Sequence, residues 1–256
     1  MTTFNESLIS AIDSFRKVCG EIVENDELFK NFKSNPVYMG ALEHVSYKQG
    51  EGYIEEINYD LPYIWNYLDK FTTNDKIGNP HIYYYDSLKV EISPTTLRYI
   101  KVLCDLVYQF GFLDNMNIVE IGCGYGGQCK IINDVFKPKS YTLIDLPEVL
   151  RLSDKYLKIF DINTTLRYTD DESEIPYDLC ISNYAFTELD KKTQMFYVDK
   201  IIKNSARGYF TCNFMGDRES DGAMTPEEIY KLKPNSKIFP EKPLTGVSNL
   251  IYIWDY

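Results

Sequence analysis

The chain has 256 residues, 44% of them hydrophobic, which suffices for a sizeable folded core with an appendage and excludes a disordered chain. Its formal net charge of −11, with no Lys/Arg cluster beyond Lys191 and Lys192, excludes the basic footprint of a nucleic-acid or anionic-membrane binder. No run is apolar enough to span a bilayer, the N-terminus lacks a signal-peptide layout, and the six scattered cysteines include no C-x-x-C pair. A cytoplasmic protein with buried thiols and no metal site is therefore expected.

In chain order, helical runs are expected over residues 7–23 and 60–71, set among loops carrying Pro36, Gly50, Gly52, Gly78 and Pro80. Residues 1–90 are too irregular for an independent domain and read as a mainly helical lid or substrate wall for a core domain at 91–256. They are also the natural place for a homodimer contact. Within them, residues 78–85 read Gly-Asn-Pro-His-Ile-Tyr-Tyr-Tyr. His81 has the near-neutral pKa of a proton acceptor, and Tyr84 offers a face for stacking on a sugar ring. The alternatives are a surface or packing histidine and an ordinary aromatic strand.

From Thr95, apolar residues at Leu97, Ile100, Leu103, Val107 and Phe110 recur at helical spacing up to Gly111. Residues 118–127 follow as Ile-Val-Glu-Ile-Gly-Cys-Gly-Tyr-Gly-Gly, a strand running into a glycine turn, and Ile131, Ile132, Val135 and Phe136 mark the helix behind it. Such a turn brings backbone N–H groups close to a ligand, so a nucleotide-like cofactor is expected. Gly122, Gly124 and Gly127 also satisfy the dinucleotide pattern, and glycines alone do not choose between nicotinamide and S-adenosylmethionine. Glu120 tilts the choice, because a carboxylate there attracts the cationic amino-acid end of S-adenosylmethionine and repels a pyrophosphate. The next strand, 141–145, ends in Asp145, which suits ribose hydroxyls in either cofactor.

A helix bearing Val149, Leu150, Leu152, Tyr156 and Leu157, a β-rich stretch at 164–168, a strand at 179–182, a helix capped by Asp190 and a strand at 208–212 continue the alternation. Alternation of this kind predicts a parallel sheet with helices on both faces. Residues 237–239 and 249–254 read as two strands without an intervening helix, forming an antiparallel edge.

The segments at 119–127, 141–149, 177–189 and 207–213 resemble the class I S-adenosylmethionine-dependent methyltransferases, and within them a group of sugar O-methyltransferases of surface-polysaccharide clusters. The resemblance implies a Rossmann-like, seven-stranded, mostly parallel sheet with one antiparallel edge strand. It implies S-adenosylmethionine at Glu120, Gly122, Gly124, Tyr125, Gly126, Asp145, Leu146, Ser182 and Asn183, with Asp170 or Asp171 as a further contact to the adenine. It also implies a small-molecule acceptor, whether a sugar, a nucleotide-sugar or a phosphorylated or phosphoramidate capsule precursor.

Methyl transfer to a hydroxyl needs a base where acceptor and cofactor meet. Glu188, just past the end of the fourth parallel strand, is the first candidate, with a helix-start carboxylate as the bland alternative; His81 is the second. Tyr184 and Asn213, at the ends of the fourth and fifth strands, are candidates for holding the acceptor, together with Tyr84. A nicotinamide oxidoreductase and a non-catalytic binding subunit remain as competing readings, the former weakened by the lack of an evident Tyr-x-x-x-Lys pair.

Overall fold

The computed structural model describes residues 4–168, 175–214 and 222–255. The chain divides into two compact units, one comprising 1–112, 124–136 and 146–163, the other 113–123, 137–145 and 164–256.

The first unit is helical. It contains α1 (Phe4–Glu24), α2 (Asp26–Lys30), α3 (Pro36–Leu42), α4 (Tyr47–Asp60), α5 (Leu68–Phe71), α6 (Pro94–Phe110), α7 (Gly127–Val135) and α8 (Pro147–Lys158), with a hairpin of β1 (Tyr83–Tyr85) and β2 (Val90–Ile92). α6 is capped by Ser93, whose Oγ accepts from Thr96 N, and stops at Gly111 in a positive-φ conformation, as the sequence anticipates. α8 buries the face expected of it, Val149, Leu150, Leu152, Tyr156 and Leu157, and Arg16 of α1 grips its Glu148 through two 3.1 Å hydrogen bonds.

Two expectations fail in this unit. The helix predicted over 60–71 is broken, because Pro62 disfavours a helical conformation at Leu61, which lies outside the α region (φ −151, ψ 65), and a 3₁₀ turn over Pro62–Tyr67 precedes the short α5. Conversely, the loop inferred from Gly50 and Gly52 is the helix α4, opened by a Ser46/Gln49 capping box. Gly50 serves close packing there: a Cβ on it would stand 2.0 Å from Tyr85 Oη.

The second unit is a seven-stranded sheet in the order β5-β4-β3-β6-β7-β9-β8. Its strands are β3 (Asn117–Ile121), β4 (Ser140–Ile144), β5 (Thr165–Arg167), β6 (Tyr177–Asn183), β7 (Ser205–Cys212), β8 (Lys237–Pro240) and β9 (Leu250–Trp254). β3 pairs in parallel with both β4 and β6, so the chain reverses its direction of travel across the sheet there, and β6 pairs in parallel with β7. β9 is antiparallel to both β7 and the edge strand β8. This is the Rossmann-like sheet with an antiparallel edge that the alternation and the two C-terminal strands predict.

One sheet face carries Val119, Ile121, Cys180, Phe210, Tyr252 and Trp254, all buried. Over it pack α9 (Ala185–Glu188), α10 (Lys191–Tyr197), the π turn that continues α10 over Val198–Ile202, and the helix Pro226–Tyr230. Asp190 caps α10 as expected, its Oδ1 accepting from Thr193 N at 2.9 Å. All six cysteines are buried thiols. Among the described residues no helix is long and apolar enough to cross a membrane, and no group of His, Cys, Asp and Glu side chains gathers as a metal site.

Candidate functional site

In an open parallel sheet, ligands bind beyond the carboxyl ends of the strands where strand order reverses, here at the ends of β3 and β6. Gly122 ends β3 with φ +77, its N–H donating to Ile144 O of β4 at 2.8 Å. A Cβ at this position would lie 2.0 Å from the Ala185 Cβ, so the backbone of α9 can approach only because residue 122 is glycine. Asp145 stands half-buried immediately after β4.

Ser182 is fully buried: its Oγ donates to Ile121 O at 3.0 Å and accepts from Phe186 N at 3.1 Å, tying β3 to β6 and holding the start of α9. Its hydroxyl is thus engaged in the scaffold. Asn183, the last residue of β6, has a buried Nδ2 without a hydrogen-bond partner among the described residues, a donor that an incoming acceptor would satisfy.

The next residue, Tyr184, sits at φ +68 and turns the chain into α9. Its phenol hydroxyl donates to Glu241 Oε1, and Glu241 also accepts from Thr245 N at 3.0 Å and Asn249 Nδ2 at 2.9 Å. Glu241 is itself buried and organises the loop between β8 and β9; nothing in its sequence surroundings marks it.

Glu188 is exposed, and one of its carboxylate oxygens accepts from Asn213 Nδ2 at 2.8 Å. Asn213 is fixed in turn, its Oδ1 accepting from Thr187 Oγ1 at 2.8 Å. Two residues singled out separately in the sequence, Glu188 and Asn213, are therefore direct neighbours at the ends of β6 and β7. The arrangement is a solvent-facing carboxylate with one oxygen pinned and a restricted orientation.

Glu120 is buried in β3, and Tyr141 Oη donates to its Oε2 at 2.8 Å. Burial, with a smaller contribution from the Asp145 charge, pushes its pKa up to about 8, so the side chain is mostly neutral at pH 7. The folded state keeps this proton from the ordinary carboxyl range up to about pH 8, so the stability it contributes is complete below about pH 4.5 and lost above the folded pKa. Glu120→Gln is expected to remove this loss, on the order of 4 kcal/mol by linkage, which thermal melts from pH 5 to 8.5 would show as a flatter profile.

In the first unit, Gly126 caps α7 in the left-handed region (φ +87), and a Cβ on Gly127 would lie 2.4 Å from the Tyr99 ring. Tyr125 is entirely buried, its hydroxyl accepting from Asn74 Nδ2 at 3.0 Å, so this residue has its main chain, not its ring, to offer a ligand. Asn74 Nδ2 donates also to Thr96 Oγ1 at 2.6 Å, and Asn74 Oδ1 accepts from Tyr156 Oη. Lys33 Nζ donates to Asn74 O at 2.7 Å and stands 4.3 Å from the Tyr125 ring centroid; burial lowers its pKa to about 8. A buried polar network of this kind fixes the glycine turn's side of the unit. Lys33 lies in the 3₁₀ turn Phe32–Ser34 that follows α2, and no sequence pattern marked it.

Gly124 (φ +53) packs against Leu42, 3.0 Å from where its Cβ would be, and Leu146 stands half-buried at the N-cap of α8. His81 is exposed, its ring centroid 5.9 Å from that of Tyr83, and Tyr84 is about half exposed on β1. These two belong to the first unit and Glu188, Tyr184 and Asn213 to the second. Asp170 and Asp171 lie outside the described residues.

No family model matches the chain, and no curated protein matches it. Solved structures do. It is similar to a provisionally assigned sarcosine dimethylglycine methyltransferase from Galdieria sulphuraria (15% identity over 62% of this chain and 70% of that one, TM-score 0.48). It is likewise similar to an S-adenosylmethionine-dependent methyltransferase from Clostridium acetobutylicum (13%, 59% and 87%, TM-score 0.46) and to an rRNA methylase from Streptococcus thermophilus (15%, 61% and 95%, TM-score 0.46). At such identities and scores these likenesses carry nothing about an acceptor or a reaction of this chain.

Proposed function

We propose that the chain is an S-adenosylmethionine-dependent O-methyltransferase acting on a hydroxyl of a sugar or sugar-derived precursor of surface polysaccharide. The observation that carries the reading is the set of strand ends in one sheet: β3 closing on Gly122, β4 on Asp145, β6 on Asn183, and Glu188 held by Asn213. The residues fit the cofactor. Asn183 has a buried amide donor to give, and Asp145 follows its strand as a ribose-binding acid does.

When bound, S-adenosylmethionine supplies a methyl carbon activated by its sulfonium. The chain's own work is then to hold an acceptor oxygen in line with that carbon, a placement worth roughly 7–11 kcal/mol in well-oriented reactions, and to receive the hydroxyl proton. Glu188 takes that proton in this reading, with Asn213 holding the second oxygen so that the first faces the acceptor. The aromatic face of Tyr184 serves the acceptor.

Calorimetric titration of S-adenosylhomocysteine into the purified chain tests the cofactor. Micromolar binding is expected, with none for NAD, and Asp145→Ala is expected to weaken it on the order of 100-fold through loss of charge-assisted bonds to the ribose. Binding of NAD in preference would make the chain an oxidoreductase, and binding of neither would remove the enzymatic reading. A positive result justifies screening sugars, nucleotide-sugars and phosphoramidates as acceptors.

A further inference from the structure

β8 (Lys237–Pro240) ends the sheet of the second unit, paired on one side only, to β9. All of its residues are exposed, Ile238 by 39% and Phe239 by 42%. An outer strand with apolar side chains and open main-chain groups is a template for another strand, and folded chains commonly blunt it with lysine or proline. Here the register decides what the edge still accepts. In an antiparallel ladder, opposed residues alternate between pairs that exchange hydrogen bonds and pairs that do not. Glu241 N donates to Asn249 O at 3.2 Å, and that pair extends the β8–β9 register by one step. Phe239 and Lys237 therefore bond inward to β9, while Ile238 and Pro240 turn their main-chain groups outward. Pro240 has no N–H, so the open edge offers both groups of Ile238 but only the carbonyl of Pro240.

A second copy of the chain, related by a two-fold axis, meets these constraints in one register. With the axis at Ile238, the two Ile238 residues exchange both of their bonds, and each Pro240 stands opposite Ser236, whose N–H the proline carbonyl accepts. On one face of the joined sheets the Ile238 side chains meet directly. On the other, each Lys237 lies opposite the second copy's Phe239, so the ammonium meets an aromatic ring instead of another lysine. The edge is thus complementary to itself in charge as well as in hydrogen bonding. The neighbouring registers are worse. An axis at Lys237 would set lysine against lysine, and one at Phe239 would set each Ile238 opposite a proline that returns no N–H.

We propose that β8 is a self-association surface, through which two copies of this chain pair antiparallel about a two-fold axis at Ile238 and join their sheets into one. The homodimer contact then belongs to the C-terminal edge of the sheet and not to the N-terminal segment. A pair of such short strands buries less than the roughly 1,200–2,000 Å² of a stable interface, so the dimer is weak and depends on concentration.

Sedimentation velocity on the full chain, from low micromolar to several hundred micromolar, tests this. A monomer giving way to a dimer, with nothing larger, is expected, because a two-fold pairing uses up the edge. Phe239→Lys sets a lysine opposite Lys237 and should weaken the dimer at least ~10-fold. Both side chains are exposed, so the melting temperature of the variant should match that of the unmodified chain. Adding Lys237→Glu to Phe239→Lys sets opposite charges across the axis and should restore the dimer, more fully at low salt. Ile238→Thr, which keeps a β-branched strand former, should weaken it without charge and serves if the lysine variant fails to fold. Monomer at every concentration overturns the proposal and leaves the edge to a strand of another protein. A dimer indifferent to Phe239→Lys and Ile238→Thr overturns it by placing the contact elsewhere, and a double variant that stays monomeric overturns the two-fold register.

Discussion

Glu188→Gln is expected to lower kcat by about 10²–10⁴-fold, the range of a lost general base, with S-adenosylhomocysteine affinity unchanged. The substitution is clean because the amide retains an oxygen for Asn213 Nδ2, so the bond at 2.8 Å and the loop it fixes survive while the proton-accepting charge goes. A carboxylate that merely complements the four-residue α9 predicts something else: turnover unchanged and a small fall in melting temperature, since such dipole effects are worth about 0.3–1 kcal/mol. Asn213→Ala separates base from positioner. It leaves the carboxylate charged but unpinned, so a smaller fall in kcat is expected than for Glu188→Gln. If His81 were the base, His81→Gln would abolish turnover and Glu188→Gln would spare it. That histidine is exposed with a ring neighbour in Tyr83, and among the described residues no carboxylate hydrogen-bonds it.

The sheet was legible because its signals are local. A strand such as 118–121, followed by glycines and then by apolar residues at helical spacing, needs no distant partner to be recognised, and β3, the turn and α7 lie where that pattern puts them. Glu188 and Asn213 were each legible as strand-end polar residues; their contact was not, because it depends on the parallel register of β6 with β7. The N-terminal segment was read less well for a physical reason. Gly50 has the letter of a turn and the role of a packing site, which only Tyr85, thirty-five positions on, reveals. Glu43, Asn74 and Glu241 were missed altogether. Each is polar and buried by tertiary partners, and single-sequence periodicity places such residues on the outside by default.

The glycine turn offers the second large effect, one that separates conformational from steric demand. Gly122→Ala is expected to destabilise the protein by about 3–4 kcal/mol, adding roughly 1–2 for an alanine held at positive φ to an overpacking cost of comparable size or more. The new Cβ would meet the Ala185 Cβ at 2.0 Å, a side-chain atom on a short helix whose first turn is held by Ser182, so little relief is available by local movement. Gly126→Ala provides the contrast: its φ of +87 demands the same conformational cost, but the atoms met are the flexible end of Leu157 at 2.9 Å, so the packing penalty should be smaller. Pairing Gly122→Ala with Ala185→Gly removes the collision and leaves the backbone cost, so the double variant should recover more than half of the lost stability in urea melts, a coupling expected only of residues in contact. Cofactor affinity need not follow stability in this pair. If the turn acts through main-chain groups, the double variant regains its fold and, with β3 again ending where Gly122 N can reach Ile144 O, its affinity for S-adenosylhomocysteine. A double variant that is stable yet does not bind would place an irreplaceable contact at residue 122 itself, where the ligand approaches too closely for any side chain.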